Sequence, residues 1–505
     1  MPTSSPGGFL LILVLLLPAA AILPAFVRGG RFAERIALVV TAVGLALAFL
    51  VAALVLRSGA PLVYALGGWT PPLGLVLRAD GLSAAMMLTS AVVVGAVAFF
   101  ARAEFATADG RHESRAPFTF WMLLLALSGA LNAVFLGSDL FNLYVAIELL
   151  TFAAVPLVCL DGSAQQLEAA LRYLMFALLG SVLYLLGTAL LYGAYGTLDI
   201  QLLAQRAVAN PATLAAASLM TLGLLAKTAL FPLHLWLPPA HAGAPAPASA
   251  VLSALVVKGS FFIVLRLWFD AMPGLLGPAP AQLPATLGAL AILFGSAVAL
   301  RQARLKMLVA YSTVAQIGYL FLMFPLLARA EAMQIGTAAI WTGGMLQAVS
   351  HAMAKAAMFM AAGLVAKAAG HDEIRGLGGI GRAMPMTVIA FALGGFSLMG
   401  LPPSGGFIAK WLLLRASIDT GQWWWAIVVA GGGMLTGGYV FKVLVQALSS
   451  GSATLAPVPL QRQKIVLALA VGSVALGMVP LASFGLVQVG RAGTPELLCL
   501  WDCGP

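Results

Sequence analysis

The stretch from Leu224 to His241, Leu-Leu-Ala-Lys-Thr-Ala-Leu-Phe-Pro-Leu-His-Leu-Trp-Leu-Pro-Pro-Ala-His, sets the tightest limit on what this chain can become. It begins as an apolar helix with Lys227 well inside it. It then meets Pro232, Pro238 and Pro239, with His234 and His241 around the break. Only 9% of the 505 residues are charged and 62% are hydrophobic, and the mean hydropathy is +1.01. A soluble domain carries roughly 25% charged residues, so this is a polytopic membrane protein. In lipid, a charge at a helix centre costs about 2.5–3.5 kcal/mol on insertion scales. A broken helix frees backbone N–H and C=O groups that survive only against protein or along a wet cavity. The stretch therefore predicts a polar path inside a bundle, with most of the chain as its surroundings.

A spanning helix needs about 20 apolar residues. Apolar runs predict an all-α chain of about fourteen transmembrane helices, near 9–27, 34–56, 81–101, 117–136, 138–160, 167–194, 212–236, 246–269, 283–300, 306–327, 334–366, 384–416, 422–447 and 463–488. The runs at 212–236, 334–366 and 384–416 exceed one crossing. The first and third hold Pro or Gly, which predicts discontinuous helices 7 and 12. Basic residues cluster after odd-numbered helices, as in Arg28, Arg31 and Arg35 or Arg301, Arg304 and Lys306, and are sparse after even ones. The positive-inside rule then puts both termini on the outer, periplasmic side of the inner membrane. The net charge of +10 reads as this topology, not as nucleic-acid binding. No basic residue precedes the first apolar run, which reads as a retained helix and not a cleaved signal.

Helices 4–8 contain one interrupted member, around Lys227 and Pro232. Helices 9–13 contain another, around Leu401-Pro-Pro-Ser-Gly-Gly-Phe-Ile-Ala-Lys410, where Pro402, Pro403 and Gly405 mark the break. Five helices is an odd number, so two such units would face opposite ways, which is the logic of inverted-repeat transporters. The expected organisation is helices 1–3 in 1–110, the first repeat in 111–275, the second in 276–450, and helix 14 with a short tail in 451–505. One mismatch stands: the lysine precedes its break in the first unit and follows it in the second.

Five ionisable side chains fall near helix middles: Glu148, Lys227, Lys258, Lys355 and Lys410. His351 lies four residues before Lys355, on the same helical face, and could pass a proton towards it through a water. Bland readings compete. Lys442 and Arg415 can snorkel to an interface, one buried pair such as Glu148 with a lysine can be structural glue, and His234 or His241 can simply satisfy carbonyls freed by the prolines. Lys258 and Lys355 are too central for snorkelling. Burial disfavours a charged lysine and a nearby carboxylate favours it, so such groups can load and release protons, each shifting the next. A row of them at one depth could conduct protons through bridging waters. Cys159, Cys499 and Cys503 make no metal pattern, although the last two could pair. No nucleotide loop, haem motif, iron–sulfur cysteines or hydrolase triad is present, and no cofactor or metal is expected.

At these residues the sequence resembles the antiporter-like subunits shared by Mrp-type multisubunit cation/proton antiporters and respiratory complex I. The resemblance lies in Glu148 after Asp-Leu-Phe-Asn-Leu-Tyr, Lys227 before Phe-Pro-Leu-His-Leu-Trp-Leu-Pro, the Ala-His-Ala-Gly-Ala-Pro-Ala-Pro-Ala-Ser run, Lys258, and Leu-Pro-Pro-Ser-Gly-Gly-Phe before Lys410. It covers helices 3 to 14. It implies two inverted five-helix units, Glu148 and Lys227 as a proton-loading pair, Lys258 and Lys355 as central relays, and Lys410 as the terminal site near an exit. The largest subunits of both complexes continue into a long extension, whereas this chain stops just after helix 14. The complex I subunit nearest in length typically has glutamate where Lys410 stands, and the Asp-Leu-Phe-Asn-Leu-Tyr-Val spelling is most similar to the D-type member of the Mrp antiporters. The resemblance thus implies a secondary antiporter subunit working in a hetero-oligomer in the lipid bilayer, exchanging protons for Na⁺ or, alternatively, K⁺ or Li⁺. The competing expectations are a non-redox, proton-pumping subunit of complex I or a membrane-bound hydrogenase, and a scaffold whose charges are vestigial.

Overall fold

The computed structural model describes residues 4–107, 115–451 and 456–491. Cys499 and Cys503 lie outside the described residues. The chain runs through α1 (Phe9–Arg28), α2 (Gly30–Ser58), a small antiparallel hairpin of β1 (Leu62–Ala65) and β2 (Val76–Ala79), then α3 (Gly81–Ala101), α4 (Arg115–Leu136), α5 (Leu140–Val158) and α6 (Ala164–Tyr195). After a short surface helix, α7 (Ile200–Arg206), come α8 (Pro211–Thr228) and α9 (Leu237–Gly243). Next are α10 (Ala246–Ala271), α11 (Gln282–Arg301), α12 (Leu305–Ala332) and α13 (Ala338–Ala369). The chain continues as α14 (Pro385–Met399), α15 (Gly405–Asp419), α16 (Trp423–Leu448) and α17 (Leu460–Ala475).

Among the described residues, 11 helices are long and apolar enough to cross a membrane. The predicted spans at 212–236 and 384–416 appear as the broken pairs α8/α9 and α14/α15. The long run at 334–366 is one unbroken helix, α13, because nothing in it frees the backbone. The predicted span at 463–488 is corrected: α17 stops at Ala475, and past Pro480 a separate 3₁₀ turn, Leu481–Gln488, follows.

Polar side chains set several helix starts. Asp80, Asp139, Ser163, Asp199, Asn210 and Ser404 each accept from a backbone N–H in the first turn that follows, satisfying donors that a helix start leaves open. Burial sorts the helices. α1 and α2 expose one face, whereas α10 is buried along its whole apolar length and α12 and α13 nearly so. A helix that is apolar all round belongs inside a bundle, and these three form its axis. Glycine allows a tight crossing: a Cβ on Gly223 of α8 would sit 2.3 Å from the carbonyl oxygen of Gly180 on α6.

Both breaks close in the same way. In α8, the Leu230 N–H bonds the Leu225 carbonyl around left-handed Ala229 (φ 59). In α14, the Leu401 N–H bonds the Phe396 carbonyl around left-handed Gly400 (φ 88). Each is a Schellman closure, which satisfies the last carbonyls but leaves others pointing onward. Pro232 falls within the first break and Pro402 and Pro403 within the second. Pro238 and Gly405, expected among the break residues, instead open the helices that follow: Pro238 stands in the first turn of α9, and Gly405 is the first residue of α15.

Candidate functional site

The predicted charges gather into buried clusters along the bundle axis. In the first, Glu148, midway along α5, receives Lys227 from the last turn of α8, with Nζ 2.7 Å from Oε1. The Ser181 hydroxyl of α6 also donates to Glu148, and Lys227 donates to Thr151 Oγ1 at 3.1 Å. The close crossing of α6 and α8 brings Ser181 within reach of the pair.

Lys258 sits midway along α10 and is fully buried. Its Nζ donates to the Ser253 carbonyl at 2.7 Å, in the stretch Leu252–Val256 where the helix is wound as a π-helix. Such widened turns recur at functional sites because they re-aim backbone groups. The Ser253 hydroxyl lies 2.9 Å from that of Thr313 on α12. Thr228, beside Lys227, donates to Ser260 of α10 at 2.9 Å. Hydroxyls thus bridge α8 to α10 and α10 to α12.

Lys355 of α13 donates to the Val309 carbonyl of α12 at 3.0 Å and to the Ser312 hydroxyl. His351, one turn away, is buried, and neither ring nitrogen has a protein partner. Lys410 of α15 reaches back across the second break. Its Nζ donates to the Leu398 carbonyl at 2.5 Å and the Met399 carbonyl at 3.4 Å, and stands 4.0 Å from the centre of the Tyr319 ring.

The remaining histidines are placed differently. His241 on α9 is buried against Trp236 and Phe359, with no hydrogen-bond partner for either nitrogen. His234 lies within the first break, stacked on Phe231 and met edge-on by Phe294; its Nδ1 has no partner. Lys442 donates to the carbonyls of Leu300 and Gln302 at the end of α11, and Arg415 pairs loosely with Asp419 on an exposed face at 3.5 Å. Neither joins the clusters.

Sequence reasoning missed the neutral partners and one charged cluster. At the start of α3, Asp80 receives two bonds from Arg266, at 2.5 and 2.7 Å, and Arg266 also binds Asp270 at 2.6 Å and Ser83 at 2.8 Å. A cavity of about 100 Å³ opens beside it, lined by Arg78, Asp80, Ser138, Gln201, Arg266 and Asp270 among others. Burial alone would raise the Asp80 carboxyl, but the Arg266 charge and its hydrogen bonds outweigh it and hold that carboxyl below its usual range. Asp139 and Asp199 are pushed up by burial against their N-cap hydrogen bonds. The spacing of Lys258, Phe262, Arg266 and Asp270 at steps of four would have pointed to this column on α10.

Among the described residues, Lys227 alone of Lys227, Lys258, Lys355 and Lys410 has a carboxylate within salt-bridge distance. The others rest on backbone carbonyls, hydroxyls and a ring face. Hydroxyls both donate and accept, so the groups around these amines can exchange hydrogen bonds in either direction.

Residues 137–436 match the transmembrane family described as NADH:quinone oxidoreductase/Mrp antiporter. The chain belongs to this family. It is 33% identical over 403 residues to NADH-quinone oxidoreductase subunit N of Desulforudis audaxviator (strain MP104C), covering 78% of this chain and 77% of that one. It is 30% identical over 391 residues to the D-type component of the Na(+)/H(+) antiporter of Alkalihalophilus pseudofirmus, covering 76% of each. Among solved structures it is similar to a chain of the Mrp complex from Dietzia sp. DQ12-45-1b, with a TM-score of 0.85 and 24% identity over 95% of this chain and 96% of that one. The antiporter-like fold expected from the sequence is therefore correct, and the chain is an integral, multi-pass membrane protein.

Proposed function

We propose that the chain is the proton-translocating subunit of a hetero-oligomeric monovalent cation/proton antiporter. Protons pass along Glu148 and Lys227, Lys258, Lys355 with His351, and Lys410. His234, within the first break, and His241, on α9 after it, act as accessory relays. The observation that carries this reading is the set of four buried lysines, each held by a partner that can trade protons or release the amine, with hydroxyl bridges between neighbouring helices. Structural glue does not account for it, because three of the four have no opposite charge to glue.

In this reading α4 to α10 and α11 to α16 form two units of opposite orientation, the broken helices lie near the membrane midplane, and both termini face the outside of the inner membrane. The matching Schellman closures at the two breaks support the repeat. The coupling cation is Na⁺, or alternatively K⁺ or Li⁺, and other subunits complete its path.

The test is transport by the whole assembled complex in vesicles. Addition of Na⁺, K⁺ or Li⁺ should collapse an imposed pH gradient, and Lys227→Ala or Glu148→Ala should abolish this. Unchanged flux in both variants would remove the reading. The identity to a subunit N favours a second one, a proton-pumping subunit of a redox complex. It stands if no cation has an effect but oxidation of NADH or ferredoxin drives proton movement.

A further inference from the structure

The Lys410 ammonium is fully supplied as a donor. Its contacts are the Leu398 carbonyl, the Met399 carbonyl and the face of Tyr319. A neutral amine at the same place needs something else: a donor for its lone pair. A buried acceptor left unpaired is costly, so a route through Lys410 requires such a donor nearby.

One is present. Gln316 of α12 points its side-chain NH₂ at the same Leu398 carbonyl that Lys410 uses, at 3.2 Å, and at Thr436 Oγ1 of α16 at 3.2 Å. Two nitrogens that share one oxygen are neighbours of each other. Gln347 of α13 fixes the orientation, because its NH₂ donates to Gln316 Oε1 at 3.1 Å. With that oxygen engaged, the Gln316 NH₂ end faces the Leu398 carbonyl, which Lys410 also uses, and Thr436. Gln316 and Gln347 are fully and almost fully buried.

The two amides also finish a seam. On α13, Gln347, His351 and Lys355 recur at steps of four and share a face. On α12, Ser312 and Gln316 do the same. Lys355 meets Ser312 at one end and Gln347 meets Gln316 at the other, with the imidazole of His351 between. The ionisable groups that face Lys410 are Tyr319 of α12, His351 of α13 and, behind Tyr319, Tyr439 of α16. α14 has none, and α17 carries Arg462 and Lys464 only in its first turns.

We propose that Gln316 is a positioning residue for proton release at Lys410, donating to the Leu398 carbonyl while the lysine is charged and to the lysine nitrogen once it is neutral, with Gln347 holding the amide in the donating orientation. This rests on the reading given under Proposed function. The proton itself travels on His351, water and the lysines: Lys355 gives one up, Lys410 takes it, and no net charge passes through the amides.

The test uses the assembled complex in vesicles, with flux expressed per complex. Gln316→Leu removes the donor and should lower flux about tenfold, the cost of one buried hydrogen bond. Gln316→Glu replaces the donor with an anion beside Lys410. It should move the flux-against-pH profile to higher pH by about one unit or more, as an adjacent opposite charge does. Gln347→Leu should show a weaker form of the Gln316→Leu effect. Wild-type flux and profile in correctly assembled Gln316→Leu and Gln316→Glu complexes would overturn the proposal. So would a Gln316→Leu variant that lowers only the amount of complex, because that marks packing alone. If Gln316→Leu fails to assemble, the Gln316→Glu profile decides. Lys227→Ala in the same vesicles separates the failures: if it leaves flux intact, the route is wrong whatever the glutamines do.

Discussion

The two helix breaks make one backbone device serve two kinds of charge. Superimposing the closures in sequence, Leu225-Ala226-Lys227-Thr228-Ala229-Leu230 corresponds to Phe396-Ser397-Leu398-Met399-Gly400-Leu401. Where the first break carries Lys227, the second carries Leu398. Lys410 comes from the following half-helix and lands on the Leu398 carbonyl. The apparent mismatch in lysine order is thereby explained: both amines end at the C-terminal end of a half-helix, where the helix dipole favours a cation. They differ in counter-charge. Lys227 has Glu148, a full anion; Lys410 has carbonyl dipoles and a ring face. A carboxylate can take up a proton as its partner changes, whereas a backbone carbonyl or a ring face cannot. On the proposed route, the first site would serve loading and the second release.

Several substitutions can break or sharpen this contrast. The largest effect is expected from Glu148→Gln, which leaves the Lys227 amine buried without its anion. Removing one partner of a buried pair costs about 3–5 kcal/mol, and flux through the assembled complex should fall by at least about 100-fold on that scale. If flux instead stays near wild type, the anion is dispensable and the contrast fails. Next come the tight crossings that both regions share. A Cβ at Gly406 would lie 1.9 Å from the Ser397 carbonyl oxygen, and one at Gly223 2.3 Å from that of Gly180. Gly406→Ala and Gly223→Ala should each cost about 1–3 kcal/mol of stability, read as lower melting temperatures of the purified complex. Similar losses would show that packing is common to both breaks.

A smaller effect singles out the second site. Tyr319→Leu removes the ring under Lys410, while Tyr319→Phe keeps it, and a buried cation–π contact is worth up to about 2 kcal/mol. Flux should fall several-fold in the first variant and hardly at all in the second. Equal loss in both would assign the effect to the hydroxyl. The smallest change is expected from Thr151→Val beside Lys227. It deletes one hydrogen bond of roughly 1 kcal/mol and leaves the Glu148 pair, so a loss of flux greater than about tenfold would mean the ion pair does not dominate the first site.

Much of this was legible in the sequence, for a definite reason. A lysine such as Lys258 or Lys355 in an apolar run is conspicuous because the bilayer makes it expensive, and prolines 232, 402 and 403 announce freed backbone. Their neutral partners were hidden. Every residue has a carbonyl, so nothing distinguishes Leu398 from other leucines. Ser312, Thr313, Gln316 and Gln347 are uncharged and cheap enough in a helix to pass unnoticed singly. Arg266 and Asp80 meet across 186 positions of chain, beyond any local pattern. The hairpin of β1 and β2 lay in the stretch between two predicted spans, and the early stop of α17 was missed because apolar composition alone does not distinguish a crossing from a capping turn.

The α10 column has a consequence for containment. Lys258 and Arg266 stand on one face of that helix, with Phe262 between them and under the guanidinium. Arginine does not give up its proton in proteins, and both carboxylates beside it are already engaged. A hand-to-hand chain needs every member to lose what it gains, so Arg266 itself adds no relay beyond Lys258. On the proposed route, a proton on Lys258 would find no onward step at this guanidinium, which limits leakage along the same helix.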